Sequence, residues 1–242
     1  MPATDRRTAF VAGASGAIGA VLCRLLVADG WQVFGTTRSA ERAERLRSLR
    51  VTPVIVDVFD RQALMDAVVA AKPRVVVHQL TDLPKEATAE SMAAARPRNA
   101  RIREIGTDNL VAAALASGAR RMVAQSIAFA YAPGPRPYTE EVPLDAASYP
   151  SVMRLEQLVL GCGLEGVVLR YGRLYGPDTW TATPPRDGPV HVDAAADAAR
   201  RAMDHGDPGA YNVAEEDGFV TSAKARRALG WRPEFRLHGS TA

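Results

Sequence analysis

Lysine is nearly absent from this chain. Only Lys72, Lys85 and Lys224 occur among its 242 residues, with arginine supplying the other basic side chains, so chemistry that depends on a lysine ammonium has few places to arise. Cysteine is scarcer still: Cys23 falls in an early helical pattern and Cys162 at a helix end. Neither has neighbours at metal-ligand spacing, so both read as reduced packing residues and no metal is expected. No apolar run approaches the roughly 18 to 20 residues that span a bilayer, and the opening MPATDRRTAF lacks the long apolar stretch of a secretory signal. A cytoplasmic protein without a membrane partner is the expectation. The net charge is only +3, and the arginines are spread without aromatics between them, which argues against nucleic acid as a partner.

What the chain does have is apolar residues in quantity, 47% of the whole, enough for one large core. Short β-rich apolar runs alternate with longer segments of helical period, the pattern of a doubly wound parallel sheet with helices on both faces. Strands are predicted at Thr8–Ala12, Gln32–Thr36, Thr52–Val56, Val75–Gln79, Met122–Ser126 and Gly166–Arg170. Helices are predicted at Gly16–Asp29, Ala40–Arg47, Arg61–Ala71 and Thr107–Ser117, with Gly30, Gly118 and Gly163 as left-handed residues closing helical stretches. Ala130–Pro150 holds five prolines and Gly176–Pro189 holds four, a density that predicts long loops. The expected organisation is a single Rossmann domain over residues 1–242, with small substrate-binding elements at about 130–150, 174–192 and 214–242.

The chemistry starts at Gly13, Gly16 and Gly19. They stand directly after an apolar strand and at the opening of an amphipathic helix. There the backbone amides of Gly13, Ser15, Gly16, Ala17, Ile18 and Gly19 can meet a pyrophosphate without a side chain in the way. Roughly 20 residues further on, an acidic residue would hold the ribose of NAD. Instead the second strand ends in Thr36, Thr37 and Arg38, and the first carboxylate is Glu41. Arg38 can pair with a 2′-phosphate through its forked guanidinium, while Thr37 and its neighbours offer hydroxyls. NADP(H) is therefore the preferred cofactor, with NAD(H) still open; the other reading of Arg38 is a solvated arginine at a helix start.

The glycine turn, VIVDVFD, VVVHQL, GTDNLVAAALASGARRMVAQS, LRYGRLYGP and HVDAAADAARRAM together resemble the extended short-chain dehydrogenase/reductases, the NAD-dependent epimerase/dehydratase family. The resemblance covers most of the chain. It implies Asp57 and Val58 beside the adenine, Gln79, Leu80 and Thr81 beside the cofactor ribose, and Tyr171, Gly172, Arg173 and Leu174 near the nicotinamide. It also allows a homodimer built on the helices of the Thr107 and Tyr149 regions. Ser126 matches the family's serine, which polarises a substrate oxygen, and its alternative reading is a strand-end serine capping the next loop.

Tyr149 opens a YxxxK-like motif in which Met153 replaces the lysine. A tyrosine, with a reference pKa of about 10, needs a nearby cation to work near neutrality. Arg154 lies about 100° further round the helix, which leaves Lys85 as a cation that could approach from a loop. Arg103 stands where the family has asparagine, within the cluster Arg96, Arg98, Arg101 and Arg103, readable as a grip on an acidic substrate or as a solvated helix face. Only 13 residues separate Pro177 from His191, so a reduced C-terminal substrate lobe is expected. His78 and His191 read as structural, and Asp193 as a helix N-cap.

Three functions fit these residues. The first is an NADP(H)-dependent oxidoreductase acting on a small carbonyl or alcohol, with Ser126 and Tyr149 as catalytic residues. The second is a nucleotide-sugar epimerase or dehydratase. The third is a non-catalytic NADP(H)-binding sensor or scaffold, suggested by the missing lysine.

Overall fold

The computed structural model describes residues 7–84 and 86–237. Lys85, the loop lysine considered for Tyr149, lies outside the described residues. The first strands follow from composition. β1 (Thr8–Ala12) and β4 (Val75–His78) are buried at every position, as strands covered on both faces must be. With β2 (Gln32–Thr37), β3 (Thr52–Ile55), β5 (Arg121–Ile127) and β6 (Glu165–Tyr171), each predicted strand is present with its ends moved by a residue or so. A seventh strand, β9 (Gly209–Val213), extends the sheet beyond β6.

All pairings in this sheet are parallel, in the order β3-β2-β1-β4-β5-β6-β9. The order reverses between β1 and β4, so a crevice opens there at the carboxyl ends of the strands, where doubly wound folds bind ligands. One core joins the sheet to α1 (Ala17–Ala28) and α7 (Val192–Ala202). A second joins the other face to α3 (Arg61–Ala71), α5 (Thr107–Ala116) and α6 (Pro150–Leu160). α2 (Ala40–Ser48) and α3 start at side-chain caps, Ser39 accepting from the Arg42 amide and Asp60 from the Ala63 amide. Gly30, Gly118 and Gly163 have the expected positive φ.

α4 (Ala89–Arg101) carries Pro97 inside it and passes into a π-helical turn, Ile102–Gly106, before α5. The proline-rich segment after β5 is a loop as expected, anchored by bridges from Tyr131 to Leu144 and from Tyr138 to Val220, with the Tyr131 and Tyr138 rings stacked. The C-terminal lobe is small: a two-stranded pair, β7 (Arg173–Tyr175) with β8 (Pro189–His191), and α8 (Ala223–Leu229). His191, not Asp193, caps α7, its ring accepting from the Asp193 amide. Asp193 instead accepts from the backbone of Leu237 and ties down the C-terminal segment.

Candidate cofactor cleft and reaction end

The cleft at the switch point is lined by Gly13, Ser15, Gly16, Thr36, Thr37, Arg38, Arg42, Asp57, Val58, Phe59, Gln79, Leu80, Thr81 and Ile102, among others. Its floor is the glycine turn. Gly13 has φ +86°, and a Cβ there would lie 2.5 Å from the Gln79 carbonyl oxygen; one on Gly19 would lie 2.1 Å from the Gly13 oxygen. Both positions exclude side chains, so β1, α1 and β4 converge as bare backbone. Gly16 caps α1 without a side-chain hydrogen bond and is exposed, which leaves the helix N-terminus to meet an anion. Ala17, Ile18 and Gly19 form the first turn of α1, outside the lining of the cleft, with Ile18 and Gly19 buried.

At one end of the cleft stand exposed Arg38 and Arg42. Arg42 escaped the sequence reading, although its place one turn into α2 follows from the Ser39 cap. Thr36 and Thr37 are committed to structure: Thr36 Oγ1 accepts from the Gly13 amide at 3.0 Å and Thr37 Oγ1 from the Ser39 amide at 3.2 Å. Asp57 is exposed and accepts from the Phe59 amide, and the Val58 carbonyl accepts from Asn109 at 2.9 Å.

Towards the other end, Gln79 donates to the Tyr171 hydroxyl at 3.4 Å, while its buried Oε1 has no partner among the described residues. That orphan acceptor in the wall, the side-chain-free floor and the exposed helix N-terminus fit a nicotinamide dinucleotide with hydroxyl and amide donors. Tyr171 and Gly172 are buried outside the lining of the cleft, Gly172 against Gly188 and Ala214, and burial raises the Tyr171 pKa. Arg173 is exposed over the Phe129 ring at 4.7 Å, and Leu174 packs onto the core.

His78 is fully buried. Leu80 N–H donates to its Nδ1 at 3.2 Å, so Nε2 carries the proton and meets Thr107 Oγ1 at 3.0 Å. Burial lowers its pKa from 6.5 to about 4, so the ring is neutral at pH 7 and structural. Ser126 is also engaged. Its hydroxyl donates to Glu156 at 2.6 Å, and Glu156 takes two bonds from Arg170, at 3.0 and 2.7 Å. Arg170 reaches Tyr131, which donates to Asn212 at 2.6 Å. Ser126, Glu156 and Arg170 are all buried, so the serine's proton points into a closed network. In sequence Arg170 was marked as a charged residue within the apolar run GVVLRY, whereas Glu156, close to Arg154 and Gln157, carried no such mark.

Tyr149 is half-buried at the N-cap of α6, with Pro150 as the first helical residue. Met153 is half-buried and Arg154 exposed, so neither supplies a cation beside the phenol. A charge of that sign is carried by Arg103, half-buried on the π-helical turn that packs against α6; Tyr149 and His78 both feel it, and burial lowers its own pKa. The arginine that replaces the family's asparagine thus stands near the tyrosine that has lost its lysine.

Among the described residues no three His, Cys, Asp or Glu side chains group as metal ligands, and no helix is long and apolar enough to cross a membrane. Comparison with known proteins agrees with this architecture. The chain superposes on a UDP-glucose 4-epimerase of Thermotoga maritima solved with UDP-glucose, at TM-score 0.76 and 18% identity, with 96% of each chain covered. A UDP-glucose 4-epimerase from Thermus thermophilus in complex with NAD gives TM-score 0.74 at 20% identity, again with 96% of each chain covered. At these identities the likeness is one of fold. In sequence, a 3-diazoavenalumate denitrifying reductase from a Streptomyces species is 41% identical over 245 residues, covering 86% of this chain and 76% of that protein. A family profile matches residues 9–190, and the chain belongs to the NAD dependent epimerase/dehydratase family.

Proposed function

We propose that this enzyme is an NADP(H)-dependent reductase of a small carboxylate-bearing substrate, and that the group it reduces is a diazo group rather than a carbonyl. The observation that carries this reading is the reaction end of the cleft: Ser126 is bound to Glu156, and Met153 stands where a lysine would assist Tyr149. Reducing a carbonyl leaves an alkoxide that must be protonated, a task for a positioned acid. A diazonium acceptor has no such need. When bound, NADPH supplies the hydride, so that R–N₂⁺ and NADPH give R–H, N₂ and NADP⁺, the C–N bond breaking and a C–H bond forming with no proton consumed. The name of the 41% identical reductase, a denitrifying enzyme acting on the diazo derivative of an acid anion, supports the same acceptor.

The chain's own residues have simpler tasks. The glycine turn and α1 N-terminus hold the pyrophosphate, Arg38 and Arg42 the 2′-phosphate, Asp57 and Val58 the adenine side, and Gln79 to Thr81 the ribose. Tyr171 steadies Gln79, and Arg173 and Leu174 border the acceptor. Tyr149 orients it, Ser126 holds the strand end behind it, and the segments 130–150, 174–192 and 214–242 close over it. Free Cys23 and Cys162 accord with a reducing, cytoplasmic setting. Exposed Leu115 and Leu160, on α5 and α6, support a homodimer through those helices.

A small carbonyl acceptor is the second reading, favoured by Tyr149 standing near a guanidinium. Calorimetric titration with NADPH and NADH, then a panel of aldehydes and aryl diazonium salts followed at the nicotinamide absorbance, separates the readings. Tighter NADPH binding with turnover of diazonium salts alone is expected. Turnover of aldehydes alone transfers the assignment to the carbonyl reading, and binding without any turnover makes the protein a sensor.

A further inference from the structure

The four arginines spaced along α4 and its π-helical turn do not form one patch. Arg96 is exposed; Arg98 pairs with Asp82 at 3.2 Å; Arg101 lies over the Phe59 ring at 3.9 Å. Arg103 differs from all three. It is half-buried between exposed Arg101 and Glu104, and among the described residues no carboxylate lies within salt-bridge distance of it. The neighbours that feel its charge are His78, held neutral with its Nδ1 and Nε2 both occupied, and the phenol of Tyr149. Withdrawing a guanidinium from water without a counter-charge is unfavourable, and a fold keeps such an arrangement where a ligand brings the missing charge.

The backbone explains how Arg103 comes to stand there. Ile102–Gly106 is a π-helical turn, whose extra residue shifts the side chains on it relative to α4, a departure that recurs at functional sites. Thr107 supports it, its side chain bonding both to the Ile102 carbonyl at 3.4 Å and to His78 at 3.0 Å. Ile102, next to Arg103, lines the cofactor cleft, and Tyr149 opens α6 nearby. The turn that carries Arg103 thus borders the cleft through Ile102 and packs against α6, which Tyr149 caps.

We propose that Arg103 is the anion-binding residue of the acceptor pocket, its guanidinium fork gripping a planar carboxylate on the substrate while Tyr149 lies alongside. A guanidinium matches a carboxylate in two parallel hydrogen bonds, which fixes orientation as well as charge. The assignment deepens the reductase reading and rests on it for the identity of the anion.

The test uses full-length protein saturated with NADP⁺ and two probes of one shape, cinnamate and cinnamamide, titrated calorimetrically. The wild type is expected to bind the acid more tightly than the amide. Arg103→Gln is expected to weaken cinnamate at least tenfold, leaving cinnamamide and NADPH unchanged. Arg103→Lys, which keeps the charge but loses the fork, should recover part of the loss, and it carries the test if the Gln variant melts early. Equal affinity for acid and amide in the wild type, no binding of either, or unchanged cinnamate binding in both variants overturns the proposal. So does a loss confined to NADPH, which would give the guanidinium to a cofactor phosphate. Because no turnover is involved, a protein that binds cinnamate through Arg103 but reduces no diazonium salt contradicts the reductase reading while leaving the anion site in place.

Discussion

At one end of the cleft, Arg38 and Arg42 stand at the surface with their guanidinium groups in water; at the other, Ser126, Glu156, Arg170 and His78 are buried in hydrogen bonds to one another or to neighbouring groups. The polar groups of the first end can be spent on a ligand, because the fold does not use them. Those of the second hold strands and helices in place. Arg103 and Tyr149 are the exceptions at this end, half-buried yet not consumed by the fold.

This contrast predicts where substitutions act. The largest effect belongs to Glu156. Replacing it by glutamine leaves Arg170 as an unpaired buried cation, so stability should fall by about 3–5 kcal/mol, seen as a lower midpoint in urea unfolding. An unchanged midpoint would place the network outside the stabilising core.

Next is His78, whose folded pKa of about 4 lies below the ordinary 6.5. The unfolded chain binds the proton first, so the stability contributed by the neutral ring is complete above pH 6.5 and is lost as pH falls towards 4. The loss is about 3 kcal/mol. Unfolding free energies of the wild type and His78→Gln, compared between pH 7 and 4, should show a steeper fall in the wild type; parallel curves would remove His78 as the cause.

The smallest effect on the fold is expected at the exposed end. Arg38→Ala and Arg42→Ala should each leave stability within about 0.5 kcal/mol while weakening NADPH by roughly tenfold, about 1.4 kcal/mol. NADH should be unaffected. Equal weakening of both cofactors would mean that these arginines do not read the 2′-phosphate.

How much of this could be read from sequence follows the same division. The β1 turn was legible because strand, glycine spacing and helix are contiguous, and local geometry alone dictates them. The central strands announced themselves as apolar runs. β9 did not: GAYNV is short and carries Asn212, which is buried only because Tyr131 and the backbone satisfy it. The engagement of Ser126 was equally hidden, since it depends on Glu156 being brought beneath β5 by α6, 30 residues away. The π-helical turn left no mark in residue periodicity, and so the inward place of Arg103 could not be told from that of its exposed neighbours. Likewise Asp193 is by type the better cap residue, and the choice of His191 is made by where β8 ends.

The most direct test of the central claim is single-turnover reduction of a carboxyl-substituted benzenediazonium salt by NADPH deuterated at the transferring carbon, with nitrogen release and product deuterium measured together. The account predicts one deuterium at the carbon that carried nitrogen for each N₂ released, at a rate well above the protein-free reaction. Nitrogen release without deuterium in the product, or no acceleration over the protein-free reaction by a protein that binds NADPH, would contradict it.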